Sequence, residues 1–141
     1  MLGFGVYVLL EFWLINELLF AVDKMEVRIK NNLPYGRVEV NMYGFWTPVC
    51  QVGWTDVEAD AACQYLNYTG GKAYYAETEP NDPTPVVVGG FNCSDEGLSF
   101  DKCPRKGFGD DIGCQFSNSI KGPKQVAGAL CYKNPGMVYT V

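Results

Sequence analysis

The sequence predicts an α+β fold in which one helix and a few short antiparallel strands are tied together by disulfides. Three observations carry this reading: six cysteines in a chain without histidine, a clean alternation over residues 36–42, and one capped helical pattern over 54–68. An even cysteine count in a small domain reads as a bridge framework, and so as an oxidising compartment. Zinc is disfavoured. Its sites use closely spaced cysteine pairs or Cys/His sets, whereas Cys50, Cys63, Cys93, Cys103, Cys114 and Cys131 are separated by longer gaps.

The chain has 141 residues, enough for one domain, and a net charge of -5. That charge excludes a general nucleic-acid binder. It is uneven: -6 up to Asn92 and +1 from Cys93 onward. Residues 1–24 are largely apolar but carry Glu11 and Glu17 and no positive n-region. Each acidic residue near a bilayer centre costs ~2.5–3.5 kcal/mol, so a membrane span is strained. Three readings stand: an atypical signal peptide or anchor, an apolar helix packed elsewhere, or a misplaced start. The first is preferred, since the cysteines call for secretion. Residues 25–132 form the expected domain, and 133–141 a C-terminal tail.

Glu26–Lys30 reads as a short strand and Asn31–Tyr35 as a turn around Pro34. In the run Gly36–Met42, Val38, Val40 and Met42 share one face, with Arg37, Glu39 and Asn41 on the other. This predicts a half-buried strand with a polar, solvated side. Phe45–Cys50 returns as its partner, and Pro48 implies an edge position or a bulge. Trp54–Tyr68 is the helix. Thr55 and Glu58 make a capping box, Asp56, Glu58 and Asp60 complement the dipole, and Ala59, Ala62, Cys63 and Leu66 face the core. Asn67 falls where a left-handed residue closes a helix, and Thr69-Gly70-Gly71 ends the element. Glu77–Pro85 is an exposed loop, Val86–Val88 a short buried strand, 93–113 irregular loop, and Ala127–Tyr132 a final strand.

In order, these elements resemble a scavenger receptor cysteine-rich (SRCR) domain of the six-cysteine, group A-like type, from about Glu26 to Tyr132. Val27-Arg28-Ile29 is similar to the opening "VRL", and Gly36-Arg37-Val38-Glu39-Val40 matches "GRVEV" unchanged. Phe45–Cys50 resembles "xWGTVC" with Thr47-Pro48 replacing Gly-Thr, and Gly53-Trp54 fits the "GW" before the helix. Glu58–Tyr68 resembles "DAxVVCRQLGY". Cys93 and Cys103 resemble the "VxC...LxxC" loop, and Cys114 with Ala127–Cys131 the closing "C...DAGVxC".

The resemblance implies a curved antiparallel sheet cradling one helix, with long loops. Six cysteines allow 15 pairings; the resemblance implies Cys50–Cys114, Cys63–Cys131 and Cys93–Cys103. It also implies an extracellular module, secreted or at the cell surface, of scavenger or innate-immune type. The family's cation sites are not expected here. Gln51 and Val52, with Gln125 and Val126, replace one carboxylate set, and Gly89 and Gly90 replace the aspartates of the other. Neutral side chains cannot supply the charge a hard cation needs. A rebuilt site from Asp95, Glu96, Asp110 and Asp111 is the weaker alternative, so no metal and no cofactor is expected.

Arg105, Lys106, Lys121 and Lys124 form the candidate cationic surface for an extracellular protein or a polyanionic or microbial ligand. Asn67-Tyr68-Thr69 and Asn92-Cys93-Ser94 are glycosylation sequons. Asn67 is expected to be exposed, while bridging of Cys93 competes with modification of Asn92. Trp46 and Trp54 read first as core. An enzyme is not expected: histidine-based acid–base and nucleophile–base pairs are gone, and no carboxylate pair is singled out by an apolar setting. The alternative to a recognition module is a structural or ancillary module of a larger multidomain receptor or secreted protease. Membrane association then comes only through that parent chain or the apolar N-terminal segment.

Overall fold

In the computed structural model, which describes residues 24–95, 97–114 and 124–134, β2 (Tyr35–Asn41) is the strand that joins two parts of one sheet. Its second half lies between β1 (Glu26–Ile29) and β3 (Trp46–Pro48), both antiparallel to it. Its first half pairs with β5 (Gln125–Tyr132), which in turn pairs with β4 (Gly70–Glu77). Pro48 stands on the short edge strand β3, where a missing N–H costs little. Between β1 and β2, Asn31 and Asn32 adopt positive φ (68° and 56°), which closes the reversal as a 3-10 turn.

The α-helix α1 (Asp56–Tyr65) is shorter than the 54–68 pattern. Thr55 caps it with the predicted box: its hydroxyl accepts from Val57 N and its own N–H donates to Glu58 Oε1. The far end is a Schellman closure. Asn67, at φ 71°, lets its own N–H reach Gln64 O and the N–H of Tyr68 reach Cys63 O, both at 3.0 Å.

β4 was not foreseen. Gly70-Gly71 reads as a terminator, yet it begins an eight-residue strand paired along its whole length with β5. Glycine is needed there for space: a Cβ on Gly71 would stand 2.2 Å from Cys63 Sγ. Val86–Val88, expected as a strand, forms only an isolated bridge, Val88 to Val49.

The core lies between sheet and helix. Val38, Val40, Ala127 and Ala129 meet Ala59 and Ala62 there, all almost fully buried. Trp54 sits edge-on to Phe91 and Phe100, which stack at 4.7 Å, and its indole N–H donates to Gly128 O. Cys63–Cys131 ties the helix to β5, Cys50–Cys114 ties the segment after β3 to the loop before β5, and Cys93–Cys103 closes a short loop. Glu58, buried, extends its cap: Oε2 accepts the N–H of Cys93 at 3.1 Å, so the helix start also holds that loop.

Candidate ligand-binding surface

The face of β2 expected to meet solvent is buried. Arg37 is 6% and Glu39 2% exposed, because the loop after β4 folds across them. Glu39 accepts from Arg28 Nε at 2.8 Å and from Arg37 Nε at 2.9 Å. Arg37 Nη1 reaches on to Glu79 and Asp82 in the loop, and Lys30 Nζ holds Glu79 through both carboxylate oxygens. Buried charge is tolerable only when paired and hydrogen-bonded; here six side chains satisfy one another. The bond from Lys30 first, then a backbone hydrogen bond at Glu79 itself and the charge of Arg37, hold the Glu79 carboxyl below its ordinary value. At Asp82 burial works upward, but the bonds from Thr84 and the charge of Arg37 outweigh it and lower the value.

Clamping that loop builds an apolar groove. Phe45 and Trp46 form one wall, and Pro83, Thr84 and Pro85 the other, around about 460 Å³. Thr47 Oγ1 donates to Pro85 O at 2.9 Å and accepts from Val87 N, fixing the second wall. The Arg28 guanidinium lies over the Trp46 ring at 4.1 Å. Beyond Phe45 the apolar surface continues through Tyr43 to Phe108, which is 70% exposed. The Tyr43 hydroxyl accepts the N–H of Phe108 at 2.8 Å, pinning the hairpin tip to the loop. Sequence reasoning singled out Trp46 but assigned it to the core. Tyr43, Phe45 and Phe108 stand at turns and carry no periodic signal; two aromatics flanking Gly44 were the available hint.

The predicted cations are placed apart. Arg105 is spent on its own loop, donating to the carbonyls of Asp101 and Cys103. Lys106 is exposed opposite Gly89, its stem packed near Gly90. Lys124 stands at the start of β5, where its ammonium donates to Asp82 O. Lys121 lies outside the described residues. Of the carboxylates weighed for a rebuilt cation site, Asp110 accepts from Gly107 N and Asp111 from Gly113 N, each closing a turn. Asp95 is exposed, and Glu96 lies outside the described residues. Among the described residues no three acidic or cysteine side chains converge as metal ligands would.

Both sequon asparagines are exposed. The Asn92 side-chain Oδ1 accepts the Ser94 N–H and hydroxyl, whereas the Thr69 hydroxyl donates to Lys133 O. Among the described residues no helix is long and apolar enough to cross a membrane.

The sequence model of the "Scavenger receptor cysteine-rich domain" matches residues 30–131. The chain belongs to the SRCR family. This SRCR domain is 30% identical over 105 residues to a "Scavenger receptor cysteine-rich domain superfamily protein" of Patiria pectinifera, covering 68% of the chain and 8% of that protein. It is 32% identical over 119 residues to "Lysyl oxidase homolog 3B" of Danio rerio, covering 79% of the chain and 14% of that protein. The chain thus spans a small fraction of the curated relatives it matches. Two solved structures share the fold. The third SRCR domain of murine neurotrypsin superposes with a TM-score of 0.54 at 24% identity, over 77% of this chain and 96% of that one. The SRCR domain of mouse MARCO, in its dimeric form, superposes at 0.51 and 23%, over 69% and 85%. SRCR domains occur in extracellular or cell-surface proteins and are in general non-catalytic.

Proposed function

We propose that this SRCR domain is an extracellular recognition module that binds a protein partner through the groove between Phe45-Trp46 and Pro83–Pro85 and the aromatic surface that continues to Phe108. The observation that carries this is the exposure of Tyr43 and Phe108 beside that groove. Contiguous exposed apolar surface marks interaction sites, and aromatic anchors dominate interface energetics. A polyanionic or microbial ligand is the second form of the same function. It would use Arg105, Lys106, Lys121 and Lys124, and the separate engagements of Arg105 and Lys124 favour it less. Gln51, Val52 and Gln125 leave binding independent of divalent cations, and no catalytic role is assigned. The sequons Asn67 and Asn92 face solvent, in keeping with a glycoprotein.

The test is capture of extracellular proteins and, separately, of a sulfated polysaccharide on the immobilised oxidised domain, with and without a chelator. Loss of protein capture in Trp46→Ala and Phe108→Ala, with Arg105→Ala and Lys106→Ala unaffected and chelator without effect, is the expected result. Calcium-dependent capture, or capture lost only in the basic variants, overturns it. An ancillary role within a longer chain is favoured by one observation, the 8% and 14% coverage of the relatives. It predicts no capture by the isolated domain.

A further inference from the structure

β4 is an edge strand, last in the order β1-β2-β5-β4. Along an antiparallel pair, every second residue turns its N–H and C=O away from the partner. Thr78 N donates to Lys124 O across the pair, so the outward residues of β4 are Gly71, Ala73, Tyr75 and Glu77. The first two are covered by the helix: Asp60 Oδ1 accepts Gly71 N at 3.1 Å and Asp56 Oδ1 accepts Ala73 N at 2.8 Å. Beyond Asp56 the helix has no further residue to offer. Among the described residues the outward backbone of Tyr75 and Glu77 has no hydrogen-bond partner, and Tyr75 is 63% exposed.

Exposed edges are ready templates for another strand, and proteins usually blunt them with lysine, proline or a bulge. No lysine, proline or bulge lies in Tyr75–Glu77. On its helix side this edge is acidic: Asp56 and Asp60 from the helix, Glu77 from the strand. Lys72 belongs to the alternate side of the strand. Two copies of this chain would bring like charge together, whereas a basic segment would be attracted.

We propose that Tyr75–Glu77 takes up an extended, basic peptide segment of a partner protein by strand addition, a site separate from the aromatic surface. Main-chain hydrogen bonds would give the pairing and the carboxylates its preference. The test uses the full oxidised chain and a short peptide alternating valine and lysine, with alternate amides N-methylated so that it can pair along one edge only. Tyr75 and Glu77 amides exchange freely in the protein alone, and at saturating peptide their exchange slows at least about tenfold. The matching valine–glutamate peptide has no such effect, and Tyr75→Pro, which removes the outward N–H together with the exposed ring, abolishes it, whereas Tyr75→Ala, which keeps the N–H, does not. The proposal is overturned by unchanged exchange, by equal slowing with the acidic peptide, by slowing on raising protein concentration alone, or by undiminished binding in Tyr75→Pro. The exchange measurement on the unmodified chain decides the matter should that variant not fold.

Discussion

Arg37 Nε lies 2.9 Å from Glu39 Oε2, two residues along the same strand, with both side chains almost wholly out of water. Removing one partner of such a pair strands the other's charge, which typically costs ~3–5 kcal/mol. Glu39→Ala leaves Arg37 its bonds to Glu79 and Asp82, so it is expected to lower unfolding stability by less than that, about 1–3 kcal/mol, in denaturant titrations of the oxidised protein. The double variant Arg37→Met/Glu39→Leu should lose less, because Arg28 and Glu79 are exposed enough to return to water and Asp82 keeps its bond from Thr84. Equal losses would show that the pair is not the stabilising unit.

The acid response follows from Glu79, whose value lies below the ordinary 4.5, first because Lys30 bonds its carboxylate. A group with a depressed folded value contributes fully above its unfolded value, and the contribution is lost as pH falls through the folded one. The loop should stay clamped on Arg37 down through the usual glutamate range and loosen only below it. Carboxyl NMR titration is the check: Lys30→Ala should move the Glu79 midpoint upward.

Gly71 is held to its identity by space. An added methyl would meet Cys63 Sγ at 2.2 Å and Leu130 O at 2.9 Å. Overpacking of this kind costs ~1–3 kcal/mol. Gly71→Ala should lower the thermal midpoint, whereas Gly97→Ala, with nothing near its missing side chain, tests only the cost of positive φ.

The bridges should differ in worth. In the chain-entropy picture, closing the separation of 68 between Cys63 and Cys131 contributes about 4.4 kcal/mol, and the separation of 10 between Cys93 and Cys103 about 2.7 kcal/mol. Paired alanine replacements compared by denaturant unfolding should rank in that order. The Cys93–Cys103 loop keeps a second tether in the bond from Cys93 N to Glu58.

Local patterns carried the helix and its caps, because Thr55, Glu58 and Asn67 act within a few residues of themselves. β2 was legible for the same reason. The burial of its polar side was not, since it depends on Glu79 and Asp82, some forty positions away. β4 was missed because Lys72-Ala73-Tyr74-Tyr75-Ala76 lacks alternation, and its two glycines serve clearance rather than a stop. The separation of Arg105 from Lys124 was equally hidden: nearness in sequence says little about irregular loops. The cysteine pairing came with the family likeness, not from spacing.

The aspartates along α1 have one more implication. Four helix residues advance about 6 Å, and two strand residues advance about 6.8 Å. Asp56 and Asp60 therefore match Ala73 and Gly71 like the marks of a vernier scale. Sliding β4 by a single position would misalign both marks at once, and in the direction that brings Lys72 to the place of Gly71 it would drive a side chain into the Cys63–Cys131 cystine, so the strand has one seat.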